Sequence, residues 1–256
     1  MKHAFSILVI LTGILLIYAM SVALNPAIHI DGLTLNGAPT EQTMGNVQRI
    51  FYYHVPSAAV GFTLFFINLL ASVFYLIRRN PSADIVALTT AEVGVVFCTI
   101  VLITGPIWAR PVWGIWWAWD ARLTSTLVLW LIYVSYLLLR KFSSSSQTPV
   151  LAAVLAIFGF VDVPFVYMAN RFFRTQHPQP VYFGGPDSGA DPRMTHALLL
   201  NMLAFSCFAF LVCWSRYRLE KLQREVDEAH ALQSLMGEAK ENESNPSRMR
   251  QPRGAQ

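Results

Sequence analysis

Two histidines, one tryptophan-rich run and a few arginines are the residues of this chain that could do chemistry. His54 stands in "QRIFYYHVPSA" and His177 in "FFRTQHPQP". Between them lies "WGIWWAWDARLTS", with Trp113, Trp116, Trp117 and Trp119 inside seven residues, followed by Asp120 and Arg122. Two imidazoles can clamp one metal. Zinc asks for further cysteine, histidine or carboxylate ligands. Asp120 could be a third, but nothing here has zinc-finger or zinc-protease spacing. Haem asks for what is present: two axial imidazoles, aromatic walls and cations for two propionates. Indole faces stack on a flat macrocycle, and a guanidinium grips a carboxylate as a fork.

Each residue also has a plain structural reading. Tryptophan is common in the aromatic belt of a membrane protein, and Trp130 and Trp214 read that way singly. Four rings in one short segment beside Gly114 exceed what a belt needs. A histidine at a helix start is also a capping or interface residue. Asp120 can cap the helix that follows it, because aspartate accepts from free N–H groups and favours a helix start. Asp162 sits inside an apolar stretch, where an acid is costly. With Pro164 two residues on, it can instead serve backbone groups freed by a kink.

These side chains need elements to hold them, and the charge pattern supplies them. Of 256 residues, 54% are hydrophobic and only 13% charged, about half the charge of an ordinary soluble domain. Lys, Arg, Asp and Glu are absent from 3–30, 50–77, 93–109, 123–139 and 194–215. A sixth apolar segment, 148–169, holds only Asp162. A helix crosses the hydrocarbon core in roughly 20 residues, so we expect an all-α integral membrane protein with six transmembrane helices. The first segment, with a basic start and small Ser21 and Ala23, also resembles a cleavable secretory signal. Its apolar run is longer than such signals carry, which favours a retained helix. Cys98, Cys207 and Cys213 fall inside spans and read as small packing residues.

Positive charge orients the spans. Lys2, Arg78, Arg79, Arg140, Lys141, Arg216, Arg218, Lys221 and Arg224 flank one set of helix ends, which marks them cytoplasmic. Both termini are then expected inside, with His3 and His230. The connections 25–49, 108–122 and 170–195 fall outside, carrying His29 and His177, with His54 and His196 at the outer helix starts beside them. They also hold Arg49, Arg110, Arg122, Arg171, Arg174 and Arg193, against the charge rule. Lipid headgroups or an anionic ligand would each explain them. The expected domains are 1–216, six helices with the tryptophan segment at 108–125; 217–240, a cytoplasmic amphipathic helix through Leu219, Leu222, Val226 and Ala229; and 241–256, a disordered polar tail. No glycine-rich phosphate loop is present, so no nucleotide hydrolysis is expected of this chain.

The tryptophan run resembles the "WWD" segment of the haem-handling superfamily of cytochrome c maturation, and most of all its heme exporter protein C (CcmC) branch. Related lyase and synthase branches follow the tryptophans with Asp-Pro, whereas here Asp120 precedes Ala121, Arg122, Leu123 and Thr124. "RIFYYHVPSA", "TGPIWARPVWG" and "FFRTQHP" are similar to the branch's flanking segments, with Phe172 and Phe173 where tryptophans are frequent. The long first outer connection, the stretch after His177 and Gln176 depart from it.

The resemblance implies that His54 and His177 are axial ligands of haem b (iron protoporphyrin IX). It implies that Trp113, Trp116, Trp117 and Trp119 line the porphyrin and that Asp120 holds the loop. Arg49, Arg110 and Arg122 stand where the branch handles haem. It further implies a non-enzymatic subunit of the bacterial inner membrane that presents haem at the periplasmic face to the chaperone CcmE. Its expected partners are the ATPase CcmA, the permease CcmB and the small membrane protein CcmD. The alternatives are a haem lyase or cytochrome c synthase of CcsA or CcmF type, and a membrane cytochrome b. The Arg-Leu-Thr wording disfavours the first. Histidines gathered at one membrane edge disfavour the second.

Overall fold

The computed structural model describes residues 2–24, 28–30, 33–35, 38–40, 44–177 and 191–244. Its helices are α1 (Lys2–Leu24), α2 (Phe51–Arg78), α3 (Pro81–Trp113), α4 (Ala121–Phe142), α5 (Thr148–Phe160), α6 (Asp162–Phe172) and α7 (Pro192–Ser244). A 3-10 turn, Gly45–Ile50, leads into α2. The all-helical expectation meets one exception. Strands β1 (Ile28–Ile30) and β2 (Leu33–Leu35) pair antiparallel, with Ile28 opposite Leu35. Six helical segments are long and apolar enough to cross a bilayer, the fifth being α5 and α6 together. The chain is a multi-pass membrane protein.

Within the spans, helix boundaries differ from expectation in two places. The third span does not end before Trp108 but continues through Arg110 to Trp113. Pro106 and Pro111 lie inside it. Each proline lacks an N–H and so withdraws one helical bond, yet neither stops the helix. At 33 residues α3 is about 50 Å long, more than the roughly 30 Å hydrocarbon core. The other difference is the break at Val161, where Val161 N donates to Phe158 O at 3.2 Å, a tighter turn. Pro164 cannot donate back toward Phe160, so the break falls where the sequence placed a kink. Asp162 Oδ2 is buried there without a hydrogen-bond partner among the described residues, so that oxygen does not serve the freed backbone.

Short turns force neighbouring helices to run antiparallel. Arg79 adopts a left-handed conformation (φ 54°) and donates to Tyr75 O at 2.7 Å, closing α2. Asn80 then caps α3, accepting from Ser82 N at 2.8 Å and Ala83 N at 3.2 Å. The resulting α2–α3 hairpin is close-packed: a Cβ on Gly94 would lie 2.7 Å from the Phe65 ring. Phe65 in turn stacks on Tyr133 of α4, with ring centroids 3.8 Å apart. Leu129, Ala152, Ala156 and Val166 complete this core. Trp130, expected as a belt residue, instead donates its Nε1–H to Thr99 Oγ1 of α3 at 2.8 Å. Cys98 is buried in the same core, and all three cysteines are free thiols.

At the other edge, α1 and the first part of α7 join α2. Asn201 donates to Ala19 O at 3.1 Å, and Ala23, Tyr52, Ala197 and Leu198 pack together. Two compact units are present, Met1–Trp214 and Ser215–Gln256. In the second, helix α7 carries Arg224–Glu220 and Lys221–Glu225 pairs at 3.0 and 3.8 Å. It runs to Ser244, four residues into the segment expected as disordered tail. Residues 245–256 lie outside the described residues.

One ion pair ties the bundle together at the α2–α3 turn. Arg140 of α4 donates from Nη1 and Nη2 to Asp84 Oδ1 and Oδ2 of α3 at 2.6 and 2.7 Å, both side chains being buried. Removing one member strands a buried charge. Arg140→Ala should therefore lower the unfolding free energy by about 3–5 kcal/mol, whereas an apolar replacement of both residues should recover most of it. Unfolding of the purified protein in detergent measures this. A loss under about 1 kcal/mol, the worth of an exposed pair, would contradict the buried reading.

Candidate functional site

The residues with chemical potential gather where α2, α3, α4 and α6 end opposite the Arg79 turn. His54 lies one turn into α2, against α3. Its Nδ1 is 2.8 Å from Thr104 Oγ1. Gly105 lies beside the ring: a Cβ there would meet His54 Cε1 at 3.5 Å, an ordinary van der Waals contact. His177 and Arg122 lie near enough for their charges to act on His54. The structure thus brings together two histidines that are 123 positions apart in sequence (177 − 54).

Asp120 links the two loops of the site. It caps α4 as expected, its Oδ1 accepting from Leu123 N at 2.9 Å. Its Oδ2 accepts from Gln176 N at 2.8 Å, the residue before His177. One carboxylate therefore fastens the tryptophan loop, the start of α4 and the second histidine segment. Both oxygens are engaged by backbone, and no group of three His, Cys, Asp or Glu converges among the described residues. A zinc reading with Asp120 as third ligand is left without that ligand.

The link predicts a selective effect. Asn in place of Asp120 keeps an acceptor for Leu123 N but turns an amide N–H₂ toward the Gln176 N–H. Hydrogen exchange at 173–177 should quicken while the start of α4 stays protected. Asp120→Ala should loosen both, costing α4 about 0.5–2 kcal/mol. Unchanged exchange at Gln176 in Asp120→Asn would remove the link.

The tryptophans divide into two kinds. Gly114, in the left-handed region (φ 77°), ends α3 and turns the chain out of its axis; residues with a Cβ rarely adopt that conformation. Trp113 ends α3 and meets Trp108 edge-on, ring centroids 5.2 Å apart. Trp117 meets Trp119 edge-on at 5.8 Å. Trp116 and Trp119 are 60% and 77% exposed, whereas Trp117 and Trp113 are half-buried. Trp117 Nε1 and Arg122 Nη1 are buried with no hydrogen-bond partner among the described residues. A buried donor left unpaired is destabilising, by about 1–3 kcal/mol. Two such donors at one site fit an anionic acceptor, as a propionate would be.

Three of the other outer arginines, Arg49, Arg110 and Arg193, are engaged by the protein itself. Arg49 donates from Nη1 to Ala23 O at 2.7 Å and from Nε to Asn46 Oδ1 at 3.3 Å, tying α1 to the turn before α2. Arg110 Nη1 donates to Gly114 O, closing the end of α3. Arg193 pairs with Asp191 at 3.1 Å, and its hydrogen bonds hold that exposed carboxyl below the usual range. Arg171 and Arg174 are exposed. His196 is exposed on α7, and His29 belongs to β1. Sequence reasoning missed Thr104 and the Gln176 amide, since neither residue type announces a site.

A family profile described as heme exporter protein C matches residues 4–232. A heme exporter protein C of Bradyrhizobium diazoefficiens is 31% identical over 198 residues, covering 77% of this chain and 75% of the relative. The protein of that name in Escherichia coli K12 is 31% identical over 190 residues, covering 74% of each. The one in Paracoccus denitrificans is 38% identical over 193 residues, covering 73% of this chain and 79% of the relative. The match takes in all six apolar segments, both histidine segments and the tryptophan run, and the chain belongs to the heme exporter protein C family.

Proposed function

We propose that this chain is a cytochrome c maturation subunit that holds haem at the periplasmic edge of the bacterial inner membrane and presents it to the chaperone CcmE. The observation that carries the reading is one cluster: His177 and Arg122 near enough for their charges to act on His54, with Trp117 Nε1 and Arg122 Nη1 buried and without a hydrogen-bond partner among the described residues. Haem is cargo here. His54 and His177 would each offer an imidazole to the iron, and Trp117 and Arg122 would offer donors to a propionate. Trp116 and Trp119, exposed, offer ring faces to the porphyrin, and half-buried Trp113 adds a third. Asp120 keeps the two loops in register. Arg49 and Arg110 frame the site by fixing the ends of α1 and α3.

The role proposed is carriage. ATP hydrolysis belongs to a partner, with CcmA, CcmB and CcmD as the assembly. An open site suits hand-over, because the acceptor must reach one edge of the macrocycle. The test is capture: in cells making this chain and CcmE, the chaperone should acquire covalent haem. Omission of this chain should abolish it. Haem-loaded chaperone without this chain would refute the presenting role.

Orientation follows from the basic residues at the other helix ends, Arg78, Arg140 and Arg216. A reporter fused after Arg224 should be active only in a form that works in the cytosol. Periplasmic activity there would place the tryptophans inside.

A further inference from the structure

We propose that Thr104 is a positioning residue: it holds His54 in the Nδ1–H tautomer and so directs the Nε2 lone pair to iron. The proposal rests on the reading of His54 as a haem ligand, and it adds the group that sets that ligand's state.

The argument is a count of protons. Thr104 Oγ1 has two short contacts, 2.8 Å to His54 Nδ1 and 2.7 Å to Ile100 O. A hydroxyl has one hydrogen to give and lone pairs to accept with. A carbonyl has no hydrogen, so the Ile100 contact is a bond only if Thr104 donates it. Such donation to the carbonyl four residues back is the usual habit of a helical threonine. The hydroxyl oxygen is then left to accept, and the donor facing it is Nδ1–H. In a neutral imidazole with Nδ1 protonated, Nε2 is the acceptor and the metal-binding nitrogen. Nε2 makes no hydrogen bond among the described residues. The opposite tautomer would point an N–H at the iron and leave the Ile100 and Thr104 oxygens 2.7 Å apart without a proton between them.

Position reinforces this. Thr104 and Gly105 are adjacent on α3, one bonding the ring at Nδ1 and the other lying beside Cε1. The hydrogen bond fixes the ring plane as well as the tautomer, as outer-shell partners of ligating histidines do.

The experiment uses full-length protein in lipid nanodiscs with Thr104→Val, which keeps the shape and loses the hydroxyl, and Thr104→Ser, which keeps it. In haem-free protein with ¹⁵N-labelled histidine, parent and Thr104→Ser should show His54 with a protonated Nδ1 and a bare Nε2. Thr104→Val should show a mixture. On titration with haemin, Thr104→Val should lose about 10- to 100-fold in affinity, and Thr104→Ser should restore it. The same valine change is then made in His54→Gly. If Thr104 acts through His54, it should cause no further loss there. An equal loss in both backgrounds would mean that Thr104 supports the fold and would overturn the proposal. So would a parent-like tautomer in Thr104→Val. If His54→Gly itself left haem spectrum and affinity unchanged, the ligand reading would fail. The ¹⁵N result would still report whether Thr104 sets the ring. Should Thr104→Val not fold, Thr104→Ala carries the same comparison.

Discussion

His54→Gly and His177→Gly should each leave the purified protein nearly empty of haem, or holding it with an altered iron spectrum. The expected fall in affinity exceeds the roughly 10- to 100-fold that follows loss of an outer-shell partner, because a metal–ligand bond itself is removed. The two variants differ in how they are rescued. His54 is held between Thr104 and Gly105 on α3, so its deletion leaves a walled gap that free imidazole can refill. His177 sits on a loop fastened one residue earlier by Asp120, and its deletion leaves the side toward solvent. Imidazole should therefore restore the His54→Gly spectrum at lower concentration than the His177→Gly spectrum. An unchanged six-coordinate spectrum in either variant would exclude that histidine as a ligand.

The parts of this molecule that were legible in sequence are those a bilayer enforces. Hydrocarbon rejects charge, so runs free of Lys, Arg, Asp and Glu located the spans, and the structure has six segments of that kind. Local chemistry was legible as well. Asp120 ahead of an apolar run is a cap by type and position, and Oδ1 does accept from Leu123 N. Contacts that depend on which helices meet were not. Asp84 sits in the first turn of α3, and only folding brings it to Arg140 of α4, 56 positions later. The bond from Gln176 N to Asp120 spans the same separation. Thr104 belongs to an apolar helix in which threonines satisfy themselves on their own backbone, as Thr90 and Thr99 do. Nothing in its surroundings in sequence distinguishes it. Arg49 and Arg110 broke the charge rule, which left lipid headgroups and an anionic ligand both open, and each also binds a carbonyl. A charge count cannot see a carbonyl. The β1–β2 pair has three residues in each strand, too few for an alternating pattern to stand out.

Holding haem and handing it over should separate between the buried and the exposed members of the tryptophan segment. Trp116 is 60% exposed, so Trp116→Ala removes a stacking face without opening the core. A stacked ring is worth about 0.5–1.5 kcal/mol beyond its burial, or about 2- to 12-fold in affinity, and haem should remain bound at high loading. Transfer should suffer more, because CcmE must meet the macrocycle at one edge and one angle. Arg122→Ala is the contrast. It removes a buried donor, Nη1, that has no hydrogen-bond partner among the described residues. A charge-assisted bond of about 1.5–3 kcal/mol would go with it, or about 10- to 150-fold in affinity. Loss of haem from the chain should then account for the whole loss of transfer. Two quantities decide the matter for each variant: haem per purified chain, and covalent haem on the co-expressed chaperone. Their ratio should fall in Trp116→Ala and stay constant in Arg122→Ala. A constant ratio in both would make the exposed rings a binding surface only. No change of either quantity in Trp116→Ala would return that ring to the membrane belt, and the exposed face of Trp119 would be left to present the cargo.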